Sequence, residues 1–242
     1  MKFDVRHLGS ALALGAVLIA PGGAARGGSS PPPPPPCKPD GSKTLVETHD
    51  ARVYQVARER SGHSTSYTYG CMKDSGSQVL LASDAEPSAV FPPPAISLIG
   101  PYVGYAVDTD GDPDAPGGRV TYVEVDDMRP QQPGQEEAGL VVNAGAKDVA
   151  RVGGLKVSNH GAVIWIACPA PSDGPLAADP RGKCTKPGTY DRVFRAHLDA
   201  SGVAHVEQLD KGVGINPHSL RRAHGSRVTW RHGRRKKSAK LP

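Results

Sequence analysis

The chain has 242 residues, enough for one large all-β domain or two small ones. Its Gly 29 and Pro 24 make it rich in turns, and aromatic residues are only 5%. The formal charge of +5 is concentrated at the end: residues 231–242 carry Arg231, Arg234, Arg235, Lys236, Lys237 and Lys240 and no acid. With residues 1–25 also set aside the remaining body sums to about −2, which argues against a nucleic-acid-binding domain.

At the N-terminus Lys2 and Arg6 precede an apolar run at 11–20 and a small, helix-breaking stretch at 21–25. That order predicts a secretory signal peptide over 1–25, too short in its apolar part for a membrane span. No later segment is apolar enough to cross a bilayer. Residues 26–36 join a Gly/Ser stretch to six prolines, Pro31 to Pro36, and read as a spacer ending in a polyproline II rod. The single folded domain is expected over 37–242.

Cys37, Cys71, Cys168 and Cys184 are an even set, and in an exported chain they predict two disulfides. The expected pairing is Cys37–Cys71 and Cys168–Cys184. The second pair would close a loop rich in Pro, Asp and Gly between two strand-like runs. No Cys-x-x-Cys pair exists to favour a metal site.

Along the body, short runs alternate apolar and polar residues between Gly and Asp turns, as half-buried strands do. The run 162–167 is apolar without alternation, which suits a central strand covered on both faces. No amphipathic helix is evident. Residues 154–165 and 218–230 are similar to each other: a strand, a His-Gly pair (His160-Gly161, His224-Gly225), then valine and tryptophan two apart. Fainter copies contain Tyr105 with Val103, and Tyr54 with Arg52 at the valine position. Four units of three or four strands predict a small or incomplete β-propeller-like array, with a β-sandwich as the alternative.

This pattern resembles WD40-like and related propeller repeats. It lacks their Trp-Asp dipeptide and has an irregular period. Residues 37–242 as a whole resemble secreted proteins of actinobacterial type that carry such repeats and have no assigned function. The resemblance implies a fold and no chemistry.

The acidic stretch Asp108, Asp110, Asp112 and Asp114 suggests oxygen ligands for calcium, with Asp108, Asp110 and Asp112 as the candidate metal residues. Pro113 and Arg119 depart from an EF-hand loop, and a solvated hairpin loop is the competing reading. Paired histidines in turns read as scaffold. Glu59, Asp74, Asp84 and Glu86 offer acids for glycoside chemistry, but spacing selects no pair among them. The basic end reads as a solvated terminus or closing strand.

The expected function is a non-catalytic exported domain for extracellular interaction or envelope-associated binding, without cofactor. Its partner would be an extracellular protein or a cell-wall polymer. A secreted carbohydrate-active hydrolase or lyase on a propeller scaffold, and a calcium-dependent binding module, are the alternatives.

Overall fold

The computed structural model describes residues 37–60, 63–83, 95–110, 119–130, 139–145, 150–169 and 191–242. The expected signal peptide and poly-Pro spacer lie outside them, as do Asp84, Glu86, Asp112, Asp114 and Cys184. Among the described residues there is no helix, and so none long and apolar enough to cross a membrane.

The fold is all-β and consists of four small antiparallel sheets in a propeller-like array. The first contains β1 (Lys43–Glu47), β2 (Ala51–Arg60), β3 (His63–Met72) and β4 (Gln78–Ser83). The second contains β5 (Ile96–Ile99), β6 (Tyr102–Asp110), β7 (Arg119–Asp127) and β8 (Leu140–Asn143). The third contains β9 (Ala150–Val157), β10 (Val163–Pro169), β11 (Asp191–Leu198) and β12 (Ala204–Gly212). The fourth contains β13 (Arg221–Arg222), β14 (Arg227–His232) and β15 (Arg235–Lys240). Each strand pairs with its neighbour in sequence, so every sheet is a meander built from local hairpins.

Turn chemistry explains the hairpins. Gly161 and Gly225, the glycines of the two His-Gly pairs, have φ of 77° and 63°. An L side chain rarely adopts those angles. Asp199 Oδ1 accepts the N–H groups of Ser201 and Val203 at 2.8 and 3.0 Å, closing the turn between β11 and β12.

Successive sheets are joined by three apolar cores. Ala51, Val53 and Leu81 of the first sheet meet Val103 and Tyr105 of the second, with Met128 beside them. Val123, Leu140 and Val142 of the second meet Leu155, Trp165 and Phe194 of the third. Ile164, Ile166 and Val193 of the third meet Val228 and Trp230 of the fourth, with Leu220 and Leu241 beside them. Among the described residues no core cluster joins the fourth sheet to the first.

The third sheet is therefore covered on both sides. In β10, Val163, Trp165 and Ala167 point to the second sheet while Ile164 and Ile166 point to the fourth. That is the physical reason the run 162–167 does not alternate. Close approach also selects Gly154: an added Cβ there would lie 2.9 Å from the Pro217 carbonyl oxygen, which belongs to the segment leading into the fourth sheet.

A disulfide joins Cys37 to Cys71 of β3, with Cα atoms 5.6 Å apart. It fastens the chain ahead of β1 to the first sheet. Cys168 is described, is buried and is not a free thiol. The basic end forms β15, which pairs with β14 from Arg227↔Lys240 to His232↔Arg235. It is thus a closing strand, fixed by Ala239 and Leu241 packing inward.

Candidate functional site

The four aromatic residues that recur in sequence occupy one position in space. Tyr54, Tyr105, Trp165 and Trp230 each lie on the second strand of their sheet, and each is at most 3% exposed. In the last three, the aromatic and the valine two residues before it face the preceding sheet. Among the described residues no sheet precedes the first. At its valine position stands Arg52, whose Nη2 lies 2.6 Å from Glu47 Oε1. Lys73 adds a second cation 2.5 Å from the same oxygen, and the two hold the Glu47 carboxyl at about 2.

A buried aromatic with a polar end needs a hydrogen-bond partner. The two tryptophans find theirs on the last strand of the preceding sheet or just beyond it. Trp165 Nε1–H donates to the Ala144 carbonyl at 2.9 Å, and Trp230 Nε1–H donates to Asp210 Oδ2 at 2.8 Å. The tyrosines stay within their own sheets. Tyr54 Oη donates to Gln78 Oε1 at 3.0 Å.

Asp210 is a buried acid with several hydrogen-bond donors. Its side chain is 5% exposed, and it accepts from Trp230, from Lys237 at 2.6 Å and from His232 Nδ1 at 3.1 Å. Burial works against its charge, but Lys237, Trp230 and His232 together outweigh burial and hold the carboxyl below its ordinary value. Every side-chain donor comes from the fourth sheet, and the Lys211 N–H of β12 adds a backbone bond at 3.0 Å. Asp210 is therefore a polar rivet between two sheets, with its lone pairs already committed.

Tyr105 makes the second buried polar cluster. Its Oη lies 2.8 Å from both Glu124 Oε2 and Asp126 Oδ2. The register places Glu124 directly opposite Tyr105 and Asp126 opposite Val103, so all three share a face. One phenol carries one proton and can donate to only one carboxylate at a time. Burial raises the Glu124 pKa, against the opposing pull of the Tyr105 hydrogen bond. It raises the phenol as well, aided by the two carboxylates. This is the nearest approach to an acid pair among the described residues, and its oxygens converge on a core tyrosine.

Clefts indent the described surface. One, of about 310 Å³, lies among the turns of the second, third and fourth sheets and is lined in part by Ser158, Asn159, His160 and Arg222. Arg222 donates to the Val157 carbonyl across the junction of the third and fourth sheets. Burial lowers its pKa, and burial together with Arg221 and Arg222 lowers that of Lys156. The second cleft, of about 430 Å³, is lined by residues including His49, Asp50, Lys73 and Asp74.

No protein-family model matches the chain, and no curated protein matches it either.

The sequence-predicted residues are dispersed. Asp108 and Asp110 belong to the backbone of β6, opposite Thr121 and Arg119, and Asp112 lies outside the described residues. Among the described residues no cluster of three His, Cys, Asp or Glu side chains is placed to hold a metal ion. Glu59 lies in β2 and Asp74 in the turn after β3. His160 and His224 are exposed in corresponding turns, before β10 and β14. His197 and His205 stack across β11 and β12 with ring centres 5.5 Å apart, and His205 Nε2 lies 2.6 Å from Asp199 Oδ2.

Sequence reasoning missed Asp210, Glu124 and Asp126. Asp210 has no local signature, because its side-chain partners lie 20 to 27 residues away. Glu124 and Asp126 had one. They interrupt the apolar alternation of β7 at every second place, on the face that Tyr105 occupies.

Proposed function

We propose that the chain is an exported, non-catalytic binding module of the extracellular space or envelope. The observation that carries this reading is how Asp210, Glu124 and Asp126 spend their oxygens. Asp210 is saturated by Lys211 of its own strand and by donors of the fourth sheet, and the half-buried Glu124 and Asp126 converge on the Tyr105 hydroxyl. Groups used this way hold strands and sheets in place. A catalytic acid or base must instead reach a reacting atom.

Export is supported by the basic and apolar order of residues 1–25 and by the Cys37–Cys71 disulfide, which an oxidising compartment favours. Repeats and a Pro-rich spacer fit a domain held away from its point of attachment or release. The resemblance to secreted actinobacterial-type repeat proteins points the same way.

Two measurements test the proposal. Expression with residues 1–36 intact should release a product shortened near residue 25 in its mass spectrum. The purified chain should leave a panel of polysaccharides, glycosides and esters unchanged while it is retained by isolated envelope material. Enzyme-dependent product formation would sink the non-catalytic reading.

A further inference from the structure

After Asp210 the sequence contains no acid, while ten Lys or Arg residues follow, leaving 19 against 24 acids in the rest of the chain. The molecule is therefore electrically polar, and its positive end is the fourth sheet with the segment leading into it.

Strand alternation divides those charges. Val228 and Trp230 of β14 point inward, with Lys237 and Ala239 of β15 opposite them. The outward set is Arg227 and Arg231 of β14, Lys236 and Lys240 of β15, and Arg221 of β13. All five are exposed, and among the described residues none of them forms an ion pair. Arg227 stands directly opposite Lys240, and Arg231 directly opposite Lys236. Like charges in such cross-strand pairs destabilise a sheet. A fold that keeps two of them side by side gains when an anion lies across them.

We infer that this face is a docking surface for a flexible linear polyanion with closely repeating phosphates. The inference rests on the binding-module reading and names its partner. The cations span about 13 Å along a strand and about 5 Å between strands, which matches a row of phosphates rather than one isolated anion. Three of the five are guanidiniums, which take phosphate oxygens in pairs. Between them lie only the hydroxyls of Thr229 and Ser238. Arg227 Nη1 donates to Ser238 Oγ at 2.9 Å, and Arg221 Nη1 donates to the His218 carbonyl at 2.8 Å, so two of the cations are held in place. The face has no apolar side chain larger than Ala223 to enter a bilayer or to form the dry centre of a protein interface. It has no aromatic ring on which a base would stack.

The test uses the full chain and fluorescently labelled long-chain polyphosphate, with poly-L-glutamate, duplex DNA and phosphatidylglycerol vesicles as parallel arms. Polyphosphate is expected to bind most tightly, with affinity falling linearly in log salt. The double variant Arg231→Ser/Lys236→Ser should bind at least tenfold more weakly and reduce the salt slope by about two. Lys38→Ser/Lys43→Ser removes the same charge from the other end of the array and should leave affinity within twofold. Arg227→Ser/Lys240→Ser repeats the test on the other opposed pair, should the first variant fold poorly. Equal losses in the face and control variants would overturn the inference, as would tighter binding of glutamate polymer, DNA or vesicles. If the chain is retained by envelope material while the face variants keep full polyphosphate affinity, the surface is wrong and the module reading stands. Turnover of a substrate would do the reverse.

Discussion

Trp230 donates its indole N–H to Asp210 across the junction of the third and fourth sheets, at 2.8 Å. The bond joins a ring that is 3% exposed to a carboxylate that also accepts from Lys237 and His232. Removing one donor leaves the charge buried with fewer partners. Trp230→Phe is expected to cost about 2 kcal/mol in urea unfolding, in the range for hydrogen bonds to charged groups. A loss below about 0.5 kcal/mol would mean that Lys237 and His232 suffice.

The same carboxylate fixes a pH response. The Asp210 pKa is depressed in the folded state, so its stabilisation is complete above the unfolded value of about 4. It is lost as pH falls through the lower folded value. Wild type should therefore exceed Asp210→Asn in stability at pH 7, and the gap should close below about pH 4. A gap independent of pH would contradict the assignment.

Glu124 has the opposite sign. Burial raises its folded pKa, so ionisation costs stability as pH rises from the unfolded value through the folded one. Glu124→Gln keeps a partner for Tyr105 and removes that cost. Its melting temperature should exceed wild type at pH 7 and match it near pH 4. An equal or lower value at pH 7 would show that the charge is better solvated than its burial suggests.

Gly154 has no room for a methyl group, because the obstacle is the backbone oxygen of Pro217 rather than a mobile side chain. Gly154→Ala should destabilise by about 1–3 kcal/mol, as overpacking does. Denaturant melts with an unchanged slope would locate the effect in the folded state.

Reducing the Cys37–Cys71 bridge, or replacing both cysteines by serine, should cost about 2–4 kcal/mol. Thermal melts of the double variant check this without interference from reductant at Cys168.

Millimolar calcium is expected to leave the melting temperature unchanged. A rise that Asp110→Ala abolishes would establish calcium binding at the end of β6 instead.

The recurrent aromatics made the sheets legible. Valine and tryptophan two apart can both face one side only in a strand, and the His-Gly pairs mark the turns before them. The double-sided apolar run at 162–167 announced the covered third sheet for the same reason. Other features were hidden by composition. Lys and Arg are weak strand formers, so residues 235–240 read first as charge, and only Ala239 and Leu241 betray the face that packs. Aspartate is rare in strands, so Asp108 and Asp110 read as loop although the β6–β7 ladder runs through them. The Asp210 cluster depends on the docking of two sheets, which no local pattern encodes.

Both indole bonds run backward along the chain. Trp165 reaches Ala144 and Trp230 reaches Asp210, and each acceptor has been synthesised before its donor. The sheets are meanders of adjacent strands, so each can close from local contacts before the next begins. A chain that emerges N-terminus first thus presents every new sheet with a finished template. Each later sheet can then dock on one already closed, in the order in which the ribosome delivers the chain.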